Sequence, residues 1–204
     1  MSEEKEAKKP AAPKSPQAAQ AGRARPVPPR ARAAAKPKEE KPLPPSPKQP
    51  VVDGYAKLIS EKISPEAVES AFINQTNDHL PTLSIKKEFW VQVAELFKNH
   101  SDLAFDYMQN YSGVDYETYL EIVVHLYSMS RGERVCFKVK SDREVAKLPT
   151  ITHLWEAANW NEREIYDLLG IEFTGHPDMR RMFLPEDWVG HPLRKDYVPL
   201  DEEV

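Results

Sequence analysis

Twelve of the 19 prolines in this 204-residue chain fall within its first 50 residues, and that stretch contains no Phe, Trp or Tyr. After Met1 its only large apolar side chains are Val27 and Leu43. Ordering a backbone costs about 1–2 kcal/mol per residue, and so few apolar groups cannot bury enough surface to offset it. Residues 1–50 are therefore expected to be disordered, an extended and partly polyproline tether, and the folding chain begins near residue 51. Charge divides at the same place. The first 50 residues hold 12 Lys/Arg against 5 Asp/Glu, net +7, which leaves 16 against 27, net −11, for the remainder. A basic tail can attract nucleic acid or anionic lipid, but here no aromatic is interleaved for base stacking and no amphipathic face exists for lipid, so a solvated tether is the simpler expectation.

Several functions are excluded early. No apolar run approaches the roughly 20 residues that a membrane-spanning helix needs. Residues 1–9 alternate Glu and Lys, so neither a secretory signal nor a mitochondrial presequence is expected. Cys136 is the only cysteine, which rules out an internal disulfide, points to a reducing compartment and leaves no four-thiolate set for an iron–sulfur cluster. The seven glycines form neither a P-loop nor a dinucleotide-binding fingerprint.

After Pro50 the texture turns globular. Ser64-Pro65-Glu66 reads as a helix start leading towards Ala71. Apolar stretches at Phe72-Ile73 and Leu83-Ile85, separated by Asn77-Asp78, read as a hairpin. Phe89, Trp90, Val93, Leu96 and Phe97 recur at helical spacing, predicting a helix over residues 87–99 that covers a sheet. Strands are expected around residues 103–111 and over 119–127. Another follows over 133–139, after a turn at Arg131-Gly132, with Val135, Phe137 and Val139 on one face. A helical stretch from His153 should run through Trp155 and Trp160 into residues 161–169, with a capping-box-like Asn161 and Glu164 and a stop at Gly170. The fold class is α+β: an antiparallel or mixed sheet with helices packed on one face, plus an extended irregular C-terminal strap. In domain terms, residues 51–150 form the core and 151–204 a helix followed by a partner-binding tail.

The residues able to carry chemistry lie mostly in that tail. Gly175-His176-Pro177 and Gly190-His191-Pro192 repeat a tripeptide. With Glu162, Glu164 and Asp167 a His/carboxylate metal site, and hence a small hydrolase, is chemically conceivable. The glycine–proline bracket mostly specifies turns, so both imidazoles are expected to bond to backbone or carboxylate in tight corners. Arg163 should meet Asp167 one turn on. Asp178, Arg180, Arg181, Arg194, Lys195 and Asp196, mixed with Trp155, Trp160, Trp188 and Tyr197, have the composition of a protein–protein hot spot. Cys136, with no base identifiable beside it, is expected to be a small buried hydrophobe.

The run Glu162-Arg163-Glu164-Ile165-Tyr166-Asp167-Leu168-Leu169-Gly170-Ile171, followed by Phe173-Thr174-Gly175-His176-Pro177-Asp178 and Arg180-Arg181, closely resembles the 30 kDa, or C, subunit family of respiratory complex I. The likeness continues through Leu184-Pro185-Glu186-Asp187-Trp188 and Gly190-His191-Pro192-Leu193-Arg194-Lys195-Asp196-Tyr197. Upstream, Asp102-Leu103-Ala104-Phe105-Asp106, Gly113-Val114-Asp115-Tyr116 and Leu148-Pro149-Thr150-Ile151-Thr152 also resemble that family. Roughly residues 64–199 are covered, and the first 50 residues match nothing in the family's pattern.

The resemblance implies an accessory subunit of the hydrophilic arm of NADH:quinone oxidoreductase, peripheral on the cytoplasmic side of a bacterial inner membrane. It implies no catalytic, cofactor-binding or metal residue in this chain, with FMN, iron–sulfur clusters and quinone in partner subunits. Those partners would be chiefly the large quinone-site (D) subunit and the small iron–sulfur (B) subunit, and no nucleic acid. Interface or structural importance is implied for Glu162, Arg163, Glu164, Tyr166, Asp167, His176, Asp178, Arg180, Arg181, Trp188, His191, Arg194, Lys195, Asp196 and Tyr197. Some relatives extend beyond the Arg-Lys-Asp-Tyr motif or are fused to the quinone-site subunit, and no such extension is expected here. Similar subunits also serve membrane-bound hydrogenases and other quinone- or ferredoxin-coupled complexes, which is the alternative assignment.

Overall fold

The strongest alternation in the sequence builds the centre of the sheet. Strand β4 (Tyr119–Ser128) turns Leu120, Ile122, Val124 and Leu126 to one face, and β5 (Glu133–Asp142) turns Val135, Phe137 and Val139 to the same face, all without exposed surface. They pair antiparallel, with Val124 opposite Phe137, across a turn in which Gly132 takes a φ of +69°. That left-handed value suits a residue without Cβ. The computed structural model describes residues 46–198, so the proline-rich stretch up to residue 45 and residues 199–204 lie outside the described residues.

Strand β3 (Tyr107–Asp115) adds antiparallel to the free side of β4. On the other side β2 (Leu80–Ile85) runs parallel to β5, and β1 (Val68–Asn74) closes the edge antiparallel to β2. The order is β1-β2-β5-β4-β3, a mixed sheet, and the expected hairpin around Asn77-Asp78 is the β1–β2 pair. After a single 3-10 turn (Lys87–Phe89), helix α2 (Trp90–Asn99) lays Trp90, Val93, Ala94 and Phe97 onto the sheet, with Phe97 edge-on to Phe137 at 4.8 Å between ring centres. Complete burial of such a side chain contributes roughly 1.5–3 kcal/mol.

Two N-terminal expectations are corrected. Helix α1 (Gln49–Lys62) starts inside the stretch assigned to the tether, with Pro50 in its first turn, where a missing N–H costs no helical bond. Val52, Tyr55 and Ile59 are buried at helical spacing, and Tyr55 meets Phe97 and Phe105 edge-on. Downstream, Ser64 does cap a turn, accepting the Glu66 N–H on its hydroxyl, but no helix follows. The chain enters β1 because pairing along β2 satisfies its backbone over six register positions, whereas an isolated helix of two turns is marginal.

The C-terminal third shares this core. Short strands β6 (Lys147–Pro149) and β7 (Glu172–Thr174) pair parallel on either side of α3 (Ala158–Leu169). Helix α3 begins at residue 158, not at His153: residues 151–157 are successive turns, tied to the core by the Trp155 indole N–H bonded to the Phe105 carbonyl at 3.2 Å. Asn161 therefore lies inside the helix and not at its start, and its amide donates to the Tyr111 carbonyl at 3.2 Å. Gly170 ends the helix in a left-handed conformation, as its position implies. Gly113 on β3 lets α3 approach, since a Cβ there would lie 2.4 Å from Leu169 Cδ1. All three helices add to the core on the Phe137 face. The reverse face carries Thr82, Ser84, Cys136 and the Glu121–Lys138 pair. Cys136 is buried, and burial pushes its thiol up to about 11.

Candidate partner-binding site

Helices leave the carbonyls of their last turn without intrahelical partners. In α3 those carbonyls are met by the chain that follows. The Gly170 N–H donates to Tyr166 O at 2.9 Å, His191 Nδ1 to Asp167 O at 3.1 Å, the Leu193 N–H to Leu168 O at 3.0 Å and Arg194 Nε to Leu169 O at 2.7 Å. The Arg194 cation also sits where the helix dipole favours it. Residues 175–198 thus run over the end of α3 as an extended, irregular strap.

A second anchor is Asp167, whose side chain has no exposed surface. Its Oδ2 accepts the successive N–H groups of Met182, Phe183 and Leu184 at 3.0, 2.8 and 3.1 Å, while Oδ1 takes the Arg181 guanidinium at 3.1 Å. Burial alone would raise this carboxyl, but the three N–H groups and Arg181 outweigh it and hold Asp167 below the usual carboxylate range. The expected Arg163–Asp167 contact is replaced: Arg163 lies over the Trp160 ring at 5.2 Å and donates to the carbonyls of Arg180 and Arg181. The helical neighbour is displaced because the strap supplies Asp167 with better-placed donors.

The third anchor joins the strap to the sheet. Asp115, at the end of β3, accepts from Arg143, from the Lys195 N–H at 2.9 Å and from the Glu117 N–H at 2.7 Å. Arg143 also reaches Asp196 at 2.7 Å, and Lys195 reaches Glu117 at 3.3 Å. Burial opposes ionisation of Asp115, yet Arg143 and the two backbone donors bring it down to about 2.

His176 and His191 both bond to backbone, as turn chemistry implies. His176 accepts the Asp178 N–H on Nδ1 at 3.0 Å and bonds Asn159 O through Nε2 at 3.3 Å. Burial lowers its pKa, so the imidazole is neutral near pH 7. Arg180 and Asp178 form an exposed fork, a contact worth about 1 kcal/mol or less. Glu162 is buried against Thr150 and Ile151, Glu164 is exposed, and Tyr166 and Tyr197 are half-buried. Among the described residues no three His, Cys, Asp or Glu side chains are grouped so as to hold a metal ion.

While Arg181, His191 and Arg194 tie it to α3, the strap turns apolar side chains outward. Phe183, Val189, Leu193 and Val198 are 61, 77, 57 and 64% exposed, and Trp160 on α3 is 61% exposed. The Trp188 indole N–H is buried without a hydrogen-bond partner among the described residues. Beside Trp160 an open groove of about 770 Å³ is lined by Thr152, Glu156, Arg163, Pro177 and Arg180. Together these side chains offer a shaped, water-facing apolar surface on a pre-ordered scaffold.

Charge marks the tail in the sequence, but it does not mark the anchors outside it. Asp115 and Thr150 lie within stretches that carry the family resemblance, so a signal for them exists. Arg143 has none, since its role depends on the chain after β5 reaching across the start of β4 to Asp115 at the end of β3.

The family described as respiratory-chain NADH dehydrogenase, 30 Kd subunit, matches residues 83–203. The C subunit of NADH-quinone oxidoreductase from Roseiflexus sp. (strain RS-1) is 45% identical over 122 residues, 58% of this chain and 70% of that protein. The C/D subunit of NADH-quinone oxidoreductase from Bacteroides fragilis (strain ATCC 25285) is 38% identical over 117 residues, 52% of this chain and 22% of that one. Among solved structures, a chain of the membrane-bound sulfane sulfur reductase, an archaeal respiratory membrane complex, superposes with a TM-score of 0.59 over 72% of this chain and 86% of that chain. At 23% identity this likeness supports the fold alone.

Proposed function

The chain belongs to the family of the 30 kDa subunit of respiratory-chain NADH dehydrogenase, and from that premise we propose that it is a cofactor-free accessory subunit of the hydrophilic arm of NADH:quinone oxidoreductase. Its work is assembly: it braces the quinone-site module, while electrons pass from NADH to quinone, coupled to proton translocation, through neighbours that hold FMN, iron–sulfur clusters and quinone. The observation that carries this reading is the strap, which Arg181, His191 and Arg194 hold against α3 while its Phe183, Val189, Leu193 and Val198 face outward. Large apolar side chains held in water on a fixed backbone bind with little further loss of entropy.

The large quinone-site (D) subunit is the principal partner, with the small iron–sulfur (B) subunit beside it. The Bacteroides fragilis relative named C/D favours a D neighbour, because a single polypeptide holds its parts adjacent. No helix among the described residues is long and apolar enough to cross a membrane, so attachment to the cytoplasmic side of the inner membrane runs through the complex. Purification of the complex through a tag on another subunit tests this. The double substitution Phe183→Ser, Leu193→Ser should leave the melting temperature of the purified full chain within about 2 °C, since exposed positions change stability little. It should cut the chain's recovery with the complex by about tenfold or more. Undiminished recovery would reject the strap as the docking surface.

A further inference from the structure

The strap and its anchors leave one buried carboxyl unexplained. Glu162 lies in the middle of α3 with no exposed surface. Its Oε1 accepts the Ile151 N–H at 2.9 Å, and its Oε2 is 2.5 Å from the Thr150 hydroxyl. These partners are a backbone amide and a hydroxyl, not a cation. From β3 the group facing it is the Tyr111 phenol, buried and without a hydrogen-bond partner among the described residues. Behind that ring stands Phe173 of β7, at 5.9 Å between ring centres. In the turn after β6 the titratable group is His153, half-exposed and 3.6 Å from Glu95. On α3 itself Arg163 is committed to the carbonyls of Arg180 and Arg181, Glu164 is exposed, and Asp167 is committed to Arg181 and the strap.

We propose that Glu162 is a proton-operated latch: protonated, it locks α3 to the turn of residues 150–152, and loss of that proton loosens the contact. The hydrogen bonds can be made in either protonation state. Thr150 Oγ1 accepts the Thr152 N–H at 3.1 Å and lies 3.0 Å from the Thr152 hydroxyl. It donates to Oε2 of an ionised Glu162 and accepts the O–H of a protonated one. Burial therefore decides between the two forms. The ionised form would place a charge in the core with no counter-ion among the described residues, which is strongly unfavourable. Burial pushes Glu162 up to about 7, against the smaller opposing pull of the Ile151 N–H and the Thr150 hydroxyl.

The direction of the pH effect follows. In the unfolded chain the carboxyl titrates at an ordinary value of about 4.3. A folded value above the unfolded one means that the folded state holds the extra proton. The contribution is complete below the unfolded value and is lost as pH rises through about 7. Because Asp167, on the same helix, grips residues 181–184, a looser α3 also loosens the strap.

The test uses the full chain alone and is independent of the proposed function. Between pH 5.5 and 8.5 the wild-type melting temperature should fall by about 5 °C more than that of Glu162→Gln, which keeps the hydrogen bonds without titrating. In parallel, infrared spectra of the wild type at pH 6 should show the carbonyl stretch of a protonated buried carboxyl, fading by pH 8.5. Should Glu162→Gln fail to fold, the wild-type infrared titration decides alone. Parallel melting curves, or no protonated-carboxyl band titrating in this range, overturn the latch.

Discussion

The Cβ that Gly170 lacks would lie 2.4 Å from Nε2 of His191. The glycine that ends α3 is thus also the floor on which the strap's histidine rests. Its φ of +74° adds a second reason for glycine there. Gly170→Ala should cost about 2–3 kcal/mol, combining left-handed backbone strain with displacement of the imidazole. Thermal unfolding of the full chain measures it. Adding His191→Ala should make the two substitutions less than additive, because the clash is removed, and strict additivity would show that the two residues do not meet.

Asp167→Asn should be among the most damaging conservative changes. It removes the charge facing Arg181 in a site with no exposed side-chain surface. Breaking a buried pair while leaving the other charge in place costs about 3–5 kcal/mol. A fall in melting temperature of roughly 10 °C is expected at pH 7. Arg181→Met in the same background should recover part of the loss. A melting curve for Asp167→Asn that overlays the wild type would remove this anchor from the account.

Asp115 makes a prediction on the acid side. Its folded value is depressed to about 2 from an ordinary carboxylate value, so its contribution is present above about pH 4 and disappears as pH falls towards 2. Wild type should exceed Asp115→Asn by roughly 2 kcal/mol at pH 6, with the gap closing between pH 4 and 2. Urea titrations at several pH values measure the difference, and a gap independent of pH would contradict the assignment.

Two other glycines should respond with opposite signs. Gly113→Ala puts a methyl 2.4 Å from Leu169 Cδ1 and 3.1 Å from Ile165 Cγ2, an overpacking that costs about 1–3 kcal/mol. Gly54 lies exposed in the middle of α1 with nothing within 4 Å of a would-be Cβ. Gly54→Ala should therefore stabilise by about 0.5–1 kcal/mol through helix propensity. Equal effects of the two substitutions would mean that α3 does not press on β3 as described.

What can be read from the chain alone are the features whose cause is local. Alternation in β4 and β5 decides which faces are buried, since side chains of a strand point to opposite sides in turn. Helical spacing yields α2, and Gly170 marks the end of α3. The same logic makes Val52, Tyr55 and Ile59 available for α1, but Pro50 and the proline-rich stretch before it point the other way. A proline in the first turn of a helix carries the same letter as one in a tether, and only the packing of Tyr55 on Phe97 and Phe105 tells them apart.

Of the candidate site, the sequence determined the residue types of the strap and their order; tertiary structure decided their partners. Asp167 is expected to pair with Arg163 one helical turn away, and instead receives Arg181 and three backbone N–H groups from a segment beyond β7. Arg143 and Asp115 lie 28 residues apart and both reach the strap, a junction with no short-range signal. Periodicity and capping report energies set by neighbours within about four residues. Which donor a buried carboxylate finally accepts depends on how separate elements pack, and that is settled only when the core has excluded water around it.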